Sequence, residues 1–269
     1  MAANLYFIKC LTNLQVGNGD VNFNVIDNEV EKDPVTGYPT INPSGVKGAL
    51  RQYFDENAPE FTARLFGSPV KDSLKDQTAS TPGSLKILAA SLLARPVRAE
   101  NGGSAYHMVT TRTALQQLKD MVFSLTGSSI FELQGVQPNQ DYRCDNAECD
   151  VEGYSVRMQL DLADENNKAV YQYLKNYMGE DIVILSDETF RKMPLPVIAR
   201  NYLENGESKN LWYEELVPHE SVFWFMVIGE EKDVEAFHKA VDGRVVQFGG
   251  NASLGCGLCR VKQGGVWNV

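Results

Sequence analysis

Two glycine-containing motifs near opposite ends of the chain carry the residue types that hold phosphate groups. The N-terminal motif, residues 43–51 (PSGVKGALR), indicates a turn that opens a helix. The first N–H groups of a helix have no partner within it and lie at the positive end of its dipole. We therefore predict Ser44 as the N-cap, with Lys47 in the first turn and Arg51 one turn later as phosphate contacts. The alternative is an ordinary capped helix with a solvated lysine.

The C-terminal motif is the loop 249–257, which has four glycines in nine residues and lies between two strand-like segments. Glycine reaches positive φ and lets the backbone approach a ligand closely, which creates anion sites built from N–H groups. Because a strand rather than a helix follows, a dinucleotide site is disfavoured. The alternative is a glycine-rich hairpin without a ligand. The predicted contacts to an RNA backbone are Gly249, Gly250, Asn251, Ser253, Gly255 and Gly257.

Three carboxylates could do chemistry beside such a phosphate track. Asp27 lies in the acidic loop 25–33. It could hold Mg²⁺ together with water and phosphate oxygens, or deprotonate a ribose 2′-hydroxyl for attack on the adjacent phosphate. Glu214 and Glu215 follow two aromatic residues and could supply a second acid. The alternatives are a solvated surface charge at Asp27 and a strand entry with one buried face at the two glutamates.

The five cysteines are consistent with reduced thiols, because the count is odd and the N-terminus shows no signal-peptide pattern. We therefore expect a cytoplasmic protein. Cys144 with Cys149 and Cys256 with Cys259 could together form a four-thiolate zinc site. The alternative, which we favour, is that these cysteines are small buried residues.

Composition and charge limit the class of protein. No apolar run approaches the roughly 20 residues of a membrane helix, so we expect no membrane association. The net charge of −10 argues against a general nucleic-acid binder. Residues 40–120, however, carry 10 basic and 7 acidic residues, so the basic charge is concentrated. This distribution fits a narrow RNA track on an otherwise repulsive surface, or it has no functional meaning.

The order of predicted elements favours a ferredoxin-like (RRM-like) α+β core with long insertions. A strand at 5–11 precedes the helix that opens at Ser44, and a strand at 222–228, a helix at 232–241 and a strand at 258–262 follow much later. We predict a single domain over residues 1–269. Its insertions are an active-site loop at 12–43, an acidic segment with two cysteines at 137–152, and a candidate thumb-like hairpin at 191–210 that contains Arg200 as a further candidate RNA contact.

The order and spacing of these motifs, over nearly the whole chain, resemble a known family. The chain is similar to the repeated backbone subunit of the type III-B (Cmr) CRISPR effector complex, of the RAMP superfamily. The motifs that carry the resemblance are 17–19 (GNG), 25–28 (VIDN), 36–39 (TGYP), 43–51, 65–68 (LFGS), 94–98 (ARPVR), 184–187 (ILSD), 211–215 (LWYEE) and the loop 249–257.

The resemblance implies an antiviral role in which copies of the subunit stack along a guide RNA (crRNA) with other Cmr subunits. It implies that the hairpin of each copy displaces a nucleotide of the guide–target duplex. Complementary single-stranded target RNA would then be cut at regular intervals with Mg²⁺ or another divalent metal. Asp27 corresponds to the aspartate at the cutting site, and Lys47 corresponds to a lysine that contacts the guide backbone.

This chain departs from the family pattern at three points. Gln15 stands where some members carry a histidine, so that histidine is not required or cutting here is slower. The chain is acidic, and the segment with Cys144 and Cys149 is not a family feature. Two alternatives remain open: a non-catalytic subunit that polymerises on guide RNA, and the equivalent subunit of type III-A complexes.

Overall fold

The computed structural model describes residues 1–17, 19, 25–68, 81–100, 103–144 and 149–268. Parts of the predicted insertions 12–43 and 137–152 therefore lie outside the described residues. In chain order the strands are β1 (Ala2–Cys10), β2 (Thr40–Ile41), β3 (Lys86–Ile87), β4 (Ala90–Arg98), β5 (Tyr106–Thr111), β6 (Tyr142–Arg143), β7 (Cys149–Val151), β8 (Tyr154–Val156), β9 (Met158–Gln159), β10 (Ile182–Leu185), β11 (Val197–Glu204), β12 (Glu207–Glu215), β13 (Val222–Gly229), β14 (Val245–Gln247) and β15 (Leu258–Asn268). The α-helices of the described part are α1 (Pro43–Asn57), α2 (Pro59–Phe66), α3 (Arg112–Thr126), α4 (Glu165–Met178), α5 (Asp187–Lys192) and α6 (Glu231–Val241).

The predicted ferredoxin-like core is confirmed. Its βαββαβ unit consists of β1, α1, β4, β13, α6 and β15. The four strands lie in the order β15-β1-β13-β4, and each neighbouring pair is antiparallel. The first and third strands of the unit thus occupy its centre, and the two ends of the chain run side by side as β1 and β15.

Helices cover both faces of this central sheet. Alternate residues of a strand point to opposite faces, and in β1 Tyr6 packs in the cluster that contains Leu50 of α1 and Phe237 of α6. Phe7 packs on the other side, in the cluster that contains Leu118 of α3 and Leu174 of α4. β13 is buried along its whole length for the same reason.

The covered sheet differs from that of an RNA-recognition module. Such a module stacks bases on an open sheet face, whereas the central strands of this sheet have no open face in the part of the chain that the structure describes. Within the same described residues, no helix has both the length and the apolar character needed to span a lipid bilayer.

The segment between β4 and β13 widens the sheet and supplies the second helical layer. β5 pairs antiparallel with β4, and β10 pairs parallel with β5. α3 begins after Thr111, whose side chain accepts a hydrogen bond from the N–H of Ala114. This cap satisfies one of the free N–H groups of the helix start, and the apolar stripe of α3 then packs on the sheet.

β11 and β12 form a separate two-stranded hairpin outside the main sheet, and Asn28 forms a β-bridge with Glu214 at its base. Asn205 and Gly206 both have positive φ at its tip, as a two-residue hairpin turn requires. We predicted a hairpin at 191–210, and these boundaries are wrong. The strands begin only after Met193 and Leu195, which are buried in the core and fix the preceding chain against the body.

Candidate functional site

Asp27 is anchored at the base of the hairpin. Its backbone N–H donates to the carbonyl oxygen of Tyr213 (3.0 Å), and its Oδ2 accepts a hydrogen bond from the backbone N–H of Tyr213 (2.8 Å). The side chain is nevertheless exposed. Its second oxygen, Oδ1, accepts no hydrogen bond from any other described residue. The predicted catalytic carboxylate is therefore held in position by β12 and retains one oxygen for a ligand.

Glu215 is buried and ties the same loop to the hairpin. Its Oε2 accepts from the backbone N–H of Val30 (3.0 Å) and lies 3.0 Å from Nζ of Lys32. The backbone N–H of Glu215 also donates to the carbonyl of Asn28 (2.9 Å). Lys32 was not among the predicted site residues, although a lysine five positions after Asp27 in an acidic loop was the available signal.

Glu214 is buried and connects the hairpin to the glycine loop. Its Oε2 accepts from Nε of Arg200 (2.5 Å) and from Nδ2 of Asn251 (3.0 Å), and its Oε1 accepts from Nε1 of Trp212 (2.8 Å). Arg200 thus lies opposite a carboxylate, with a further N–H near Sγ of Cys256. The structure brings the predicted residues Glu214, Arg200 and Asn251 together, but as partners of one another.

The glycine loop is a compact turn and presents a row of free N–H groups. Residues 252–254 form one turn of 3₁₀-helix, preceded by Asn251 in the left-handed conformation (φ 58°). Among the described residues, no acceptor is found for the N–H groups of Asn251, Ala252 and Ser253. Consecutive free N–H groups after a left-handed residue are the arrangement that binds anions.

Position 15 lies against this loop. The carbonyl oxygen of Gln15 accepts the N–H of Gly250 (2.8 Å), and a Cβ built on Gly250 would lie 2.8 Å from Oε1 of Gln15. The main-chain contact brings the start of the 12–43 segment to the glycine loop, and Leu11 N–H donates to the carbonyl of Leu258 (2.8 Å) nearby. Gln15 is thus in direct contact with the glycine loop.

The start of α1 differs from the prediction. The N-cap is Asn42 and Pro43 is the first helical residue, so Ser44 as the cap is wrong: it lies inside the helix and is exposed. Proline is favoured at this position because its missing N–H would have no partner. Lys47 is consequently in the second turn, where it is partly exposed and has no ion-pair partner among the described residues. α1 packs beside β14, the strand that leads into the glycine loop.

The remaining predicted cation on α1 has a structural partner. Nη1 of Arg51 donates to the carbonyl oxygen of Gly67 (2.8 Å), and its Nε lies 3.9 Å from Asp55. Its side chain is half-buried at this contact. Arg51 therefore links α1 to the chain after α2, and only part of its guanidinium is available to a phosphate.

The zinc alternative is wrong. Cys256 lies beside Arg200, whereas Sγ of Cys259 lies 3.8 Å from Sγ of Cys10, its partner across β1 and β15. All five cysteines are buried and none forms a disulfide. No group of three or more possible metal ligands of the histidine, cysteine, aspartate or glutamate type occurs in the described residues.

The same observation limits how a divalent cation could be held. A protein-made cage is absent from the described residues, and both Glu214 and Glu215 already accept hydrogen bonds. Mg²⁺, however, usually binds proteins through one or two carboxylates and keeps waters and substrate phosphates as its other ligands. The free oxygen of Asp27 could supply one carboxylate ligand, and the remaining ligands would have to be waters and substrate phosphates.

The pKa of Glu214 lies below its ordinary value. Burial alone would raise it, but the hydrogen bonds from Trp212, Arg200 and Asn251 and the charge of Arg200 lower it by more. Because the folded-state pKa is depressed, the stability that Glu214 contributes is complete above the unfolded-state pKa, about 4.3, and is lost as pH falls through the folded-state value.

We therefore expect the free energy of unfolding to fall as the pH drops below about 5, and Glu214→Gln to reduce this fall. Urea unfolding at a series of pH values measures it. Glu207→Gln is the control, because Glu207 is an exposed residue of the same hairpin paired with Lys209 and exposed pairs contribute little. An unchanged acid slope in Glu214→Gln would contradict the argument.

The chain matches a known protein family and a characterised relative. Residues 7–260 match the family model described as the RAMP superfamily. The chain is 26% identical over 291 aligned positions to the CRISPR system Cmr endoribonuclease Cmr4 of Pyrococcus furiosus, which covers 97% of this chain and 95% of that protein.

Solved structures share the fold. A cryo-electron microscopy structure of the type III-B Cmr-beta complex bound to cognate target RNA contains a chain with a TM-score of 0.78 and 22% identity, with 97% of each chain covered. Oligomeric Cmr4 from Pyrococcus furiosus gives a TM-score of 0.71 at 20% identity, with 98% of each chain covered.

Proposed function

Because this chain belongs to the RAMP superfamily, we propose that it is the guide-RNA-binding backbone subunit of a type III-B CRISPR complex and cuts complementary target RNA at regular intervals. The observation that carries the proposal is the exposed carboxylate of Asp27 at the base of the hairpin, where it accepts the backbone N–H of Tyr213 while the Asp27 N–H donates to the Tyr213 carbonyl. The named relatives support type III-B over type III-A, since both the Pyrococcus protein and the RNA-bound complex are Cmr components.

The guide RNA backbone follows the loops and helix start on the α1 side of the sheet. The free N–H groups of residues 251–253 would hold one phosphate, and Lys47 would hold another. At Gly255 an added Cβ would meet nothing within 4 Å, so this glycine leaves the surface open to the RNA backbone, whereas Gly249, Gly250 and Gly257 let the loop pack tightly against Gln15 and Phe248. Ser44 and Arg51 contribute through the hydroxyl and the remaining guanidinium N–H groups.

The hairpin acts on the guide–target duplex. Tyr202, Leu203 and Leu211 are large apolar side chains that are more than half exposed on it. Apolar side chains that enter a base step unstack it and distort the duplex. In the proposed assembly the hairpin of one copy reaches the duplex beside another copy, which also fixes the interval between cuts.

Displacing a target nucleotide makes in-line attack on the adjacent phosphate possible beside Asp27. In a regular duplex the ribose 2′-oxygen, the phosphorus and the leaving 5′-oxygen are not in line, and displacement lets them align. Asp27 then takes the proton of the 2′-hydroxyl as the 2′-oxygen attacks the adjacent phosphorus and the bond to the 5′-oxygen breaks, which leaves a 2′,3′-cyclic phosphate on one product and a 5′-oxygen that takes a proton from water on the other. Alternatively, the free oxygen of Asp27 would bind a divalent cation together with the RNA phosphates; the cation would stabilise the charge on the reacting phosphate, and water would take the proton of the 2′-hydroxyl.

Glu214 and Glu215 support this step without touching RNA in our proposal. Both are buried, and both have their oxygens occupied by hydrogen-bond donors. Glu215 keeps the Asp27 loop against β12, and Glu214 keeps the hairpin against the glycine loop through Arg200 and Asn251. Arg200 can reach RNA only with the N–H groups that Glu214 leaves free.

Reconstitution with guide RNA and end-labelled complementary RNA tests the function. We expect regularly spaced products with Mg²⁺ and intact target with a chelator, because the single available carboxylate cannot replace the charge of the cation. A target with one mismatched region is the control for guide dependence. A complex that binds target tightly but leaves it uncut in Mg²⁺, Mn²⁺ and Ca²⁺ would instead support the purely structural subunit.

Lys47→Glu is expected to weaken guide binding about tenfold or more, regardless of guide sequence, and to reduce the slope of log affinity against log salt by about 1. The cause is the loss of one phosphate contact and the release of its counterion. Filter binding at several salt concentrations measures both. Lys168→Glu, on α4 at the opposite face of the sheet, is the matched control, and equal effects of both variants would refute a defined track.

A further inference from the structure

A small cavity of about 160 Å³ lies at the base of the hairpin, between the loop that follows Asp27 and the chain after α5. Three cationic side chains line it, Lys32, Arg95 and Arg191, against the single carboxylate of Glu215. A cavity of roughly 10–15 Å³ already admits one water. This space can therefore hold a group several times larger, and its lining carries excess positive charge.

Arg95 is the deepest of these cations and is only 3% exposed. Its terminal nitrogen Nη2 donates to the carbonyl oxygen of Met193 (2.6 Å) and Nη1 makes a longer contact to the carbonyl oxygen of Pro194 (3.5 Å), while its guanidinium lies 4.9 Å from the centre of the Phe190 ring. No carboxylate lies within ion-pair distance of it in the described part of the chain. A buried charge without an adjacent counterion is costly. An anion bound beside Arg95 would offset this cost.

The carboxylate in the lining does not meet this need. Glu215 is occupied by Lys32 and by the N–H of Val30. Burial lowers the pKa of Arg95 to about 10, and the charges of Glu152 and Glu215, acting from beyond ion-pair distance, only partly oppose this. Arg191 is exposed and has no ion-pair partner among the residues described. Two cations of the lining thus lack a direct countercharge.

We propose that this cavity binds a tetrahedral oxyanion, a phosphate group, between Arg95, Arg191 and Lys32. Guanidinium groups match phosphate oxygens in charge and in the geometry of their N–H groups. Phe190 and the Met193 carbonyl keep the Arg95 guanidinium in a fixed orientation before the ligand arrives. The phosphate could be free in solution or belong to RNA. The site does not depend on the proposed cutting activity.

Titration of the full chain with inorganic phosphate, followed by isothermal calorimetry at constant ionic strength, tests the site. We expect saturable binding to one site, and about tenfold or greater weakening in Arg191→Gln and in Lys32→Gln, since each removes a charge-assisted hydrogen bond. Lys192→Gln is the matched control, because Lys192 neighbours Arg191 in α5 but pairs with Glu188 and does not line the cavity. Its affinity is expected to stay within about twofold of the original.

Two results would overturn the proposal: no saturable phosphate binding to the unsubstituted chain, or equal weakening by Lys192→Gln and Arg191→Gln. A second arm identifies the source of the phosphate. With ³¹P NMR on the phosphate-loaded protein, release on adding guide RNA and target assigns the site to an RNA phosphate, whereas retained signal assigns it to free phosphate. If the unsubstituted protein binds phosphate but its reconstituted complex does not cut target RNA, only the proposed function is refuted and the phosphate site stands.

Discussion

Asp27→Asn is expected to lower the rate of target cutting by about 10²–10⁴-fold while leaving guide affinity unchanged. Asparagine keeps an oxygen that can accept the N–H of Tyr213, so the loop remains docked on β12. It cannot accept the proton of a 2′-hydroxyl and carries no charge for a cation. Single-turnover cutting of end-labelled target by the reconstituted complex measures the rate, and filter binding measures the guide.

Two further variants distinguish a role of Asp27 in the reaction from a role in holding its loop against β12. Asp27→Ala removes both the charge and the hydrogen bond to Tyr213, and it is expected to lose activity to the same extent. Glu31→Gln removes a charge from the same loop and should cut within about twofold of the original rate. If Asp27→Asn cut normally and Asp27→Ala did not, the residue would only position the loop. Normal cutting by both variants would remove Asp27 from the mechanism.

The second large effect is expected at Gly257, where alanine should destabilise the fold by about 3 kcal/mol or more. Gly257 has φ of 79°, and an added Cβ would overlap the carbonyl oxygen of Phe248. The N–H of Gly257 donates to the carbonyl of Asn13 (2.8 Å), and its own carbonyl accepts from Phe248. Relief of the overlap would therefore shift Phe248, which is fully buried. Urea unfolding measures the loss.

Gly255→Ala is the matched comparison. Gly255 has nearly the same φ, 78°, but a Cβ there would meet nothing within 4 Å. Its cost is the left-handed backbone alone, about 1–2 kcal/mol. The difference between the two variants isolates the contribution of close packing in the loop. Equal destabilisation would mean that the loop relaxes freely and is not a rigid platform for a phosphate.

The covered sheet gives the clearest reason for placing RNA at loops. α3 and α4 occupy the face on which an RNA-recognition module would stack bases. The features that remain accessible are the glycine loop, the start of α1, the Asp27 loop and the hairpin. The Asp27 loop contacts the hairpin at Tyr213, and the hairpin contacts the glycine loop through Glu214 and Asn251, while the pairing of β1 with β15 brings the two chain ends together.

Local pattern was enough for the regular elements and for the residue types of the site. The strand predicted at 222–228 and the helix predicted at 232–241 are present as β13 (Val222–Gly229) and α6 (Glu231–Val241). Local pattern failed at Ser44, because Pro43 already fits the first helical position and moves the cap to Asn42. It also failed at the hairpin boundary, where burial of Met193 and Leu195 is a tertiary property.

The amino-acid sequence by itself determined the order of the core strands and helices, the ferredoxin-like core and the acidic, lysine and glycine candidates, because each depends on spacing along the chain. Only the tertiary structure decided which candidates have a partner within the protein. Among the residues that the structure describes, Lys47 and one oxygen of Asp27 have none, whereas Glu214 and Arg200 neutralise each other. The physical reason is that a charged side chain acquires its partner from residues distant in sequence: Arg200 lies fourteen positions from Glu214 and Lys32 lies 183 from Glu215.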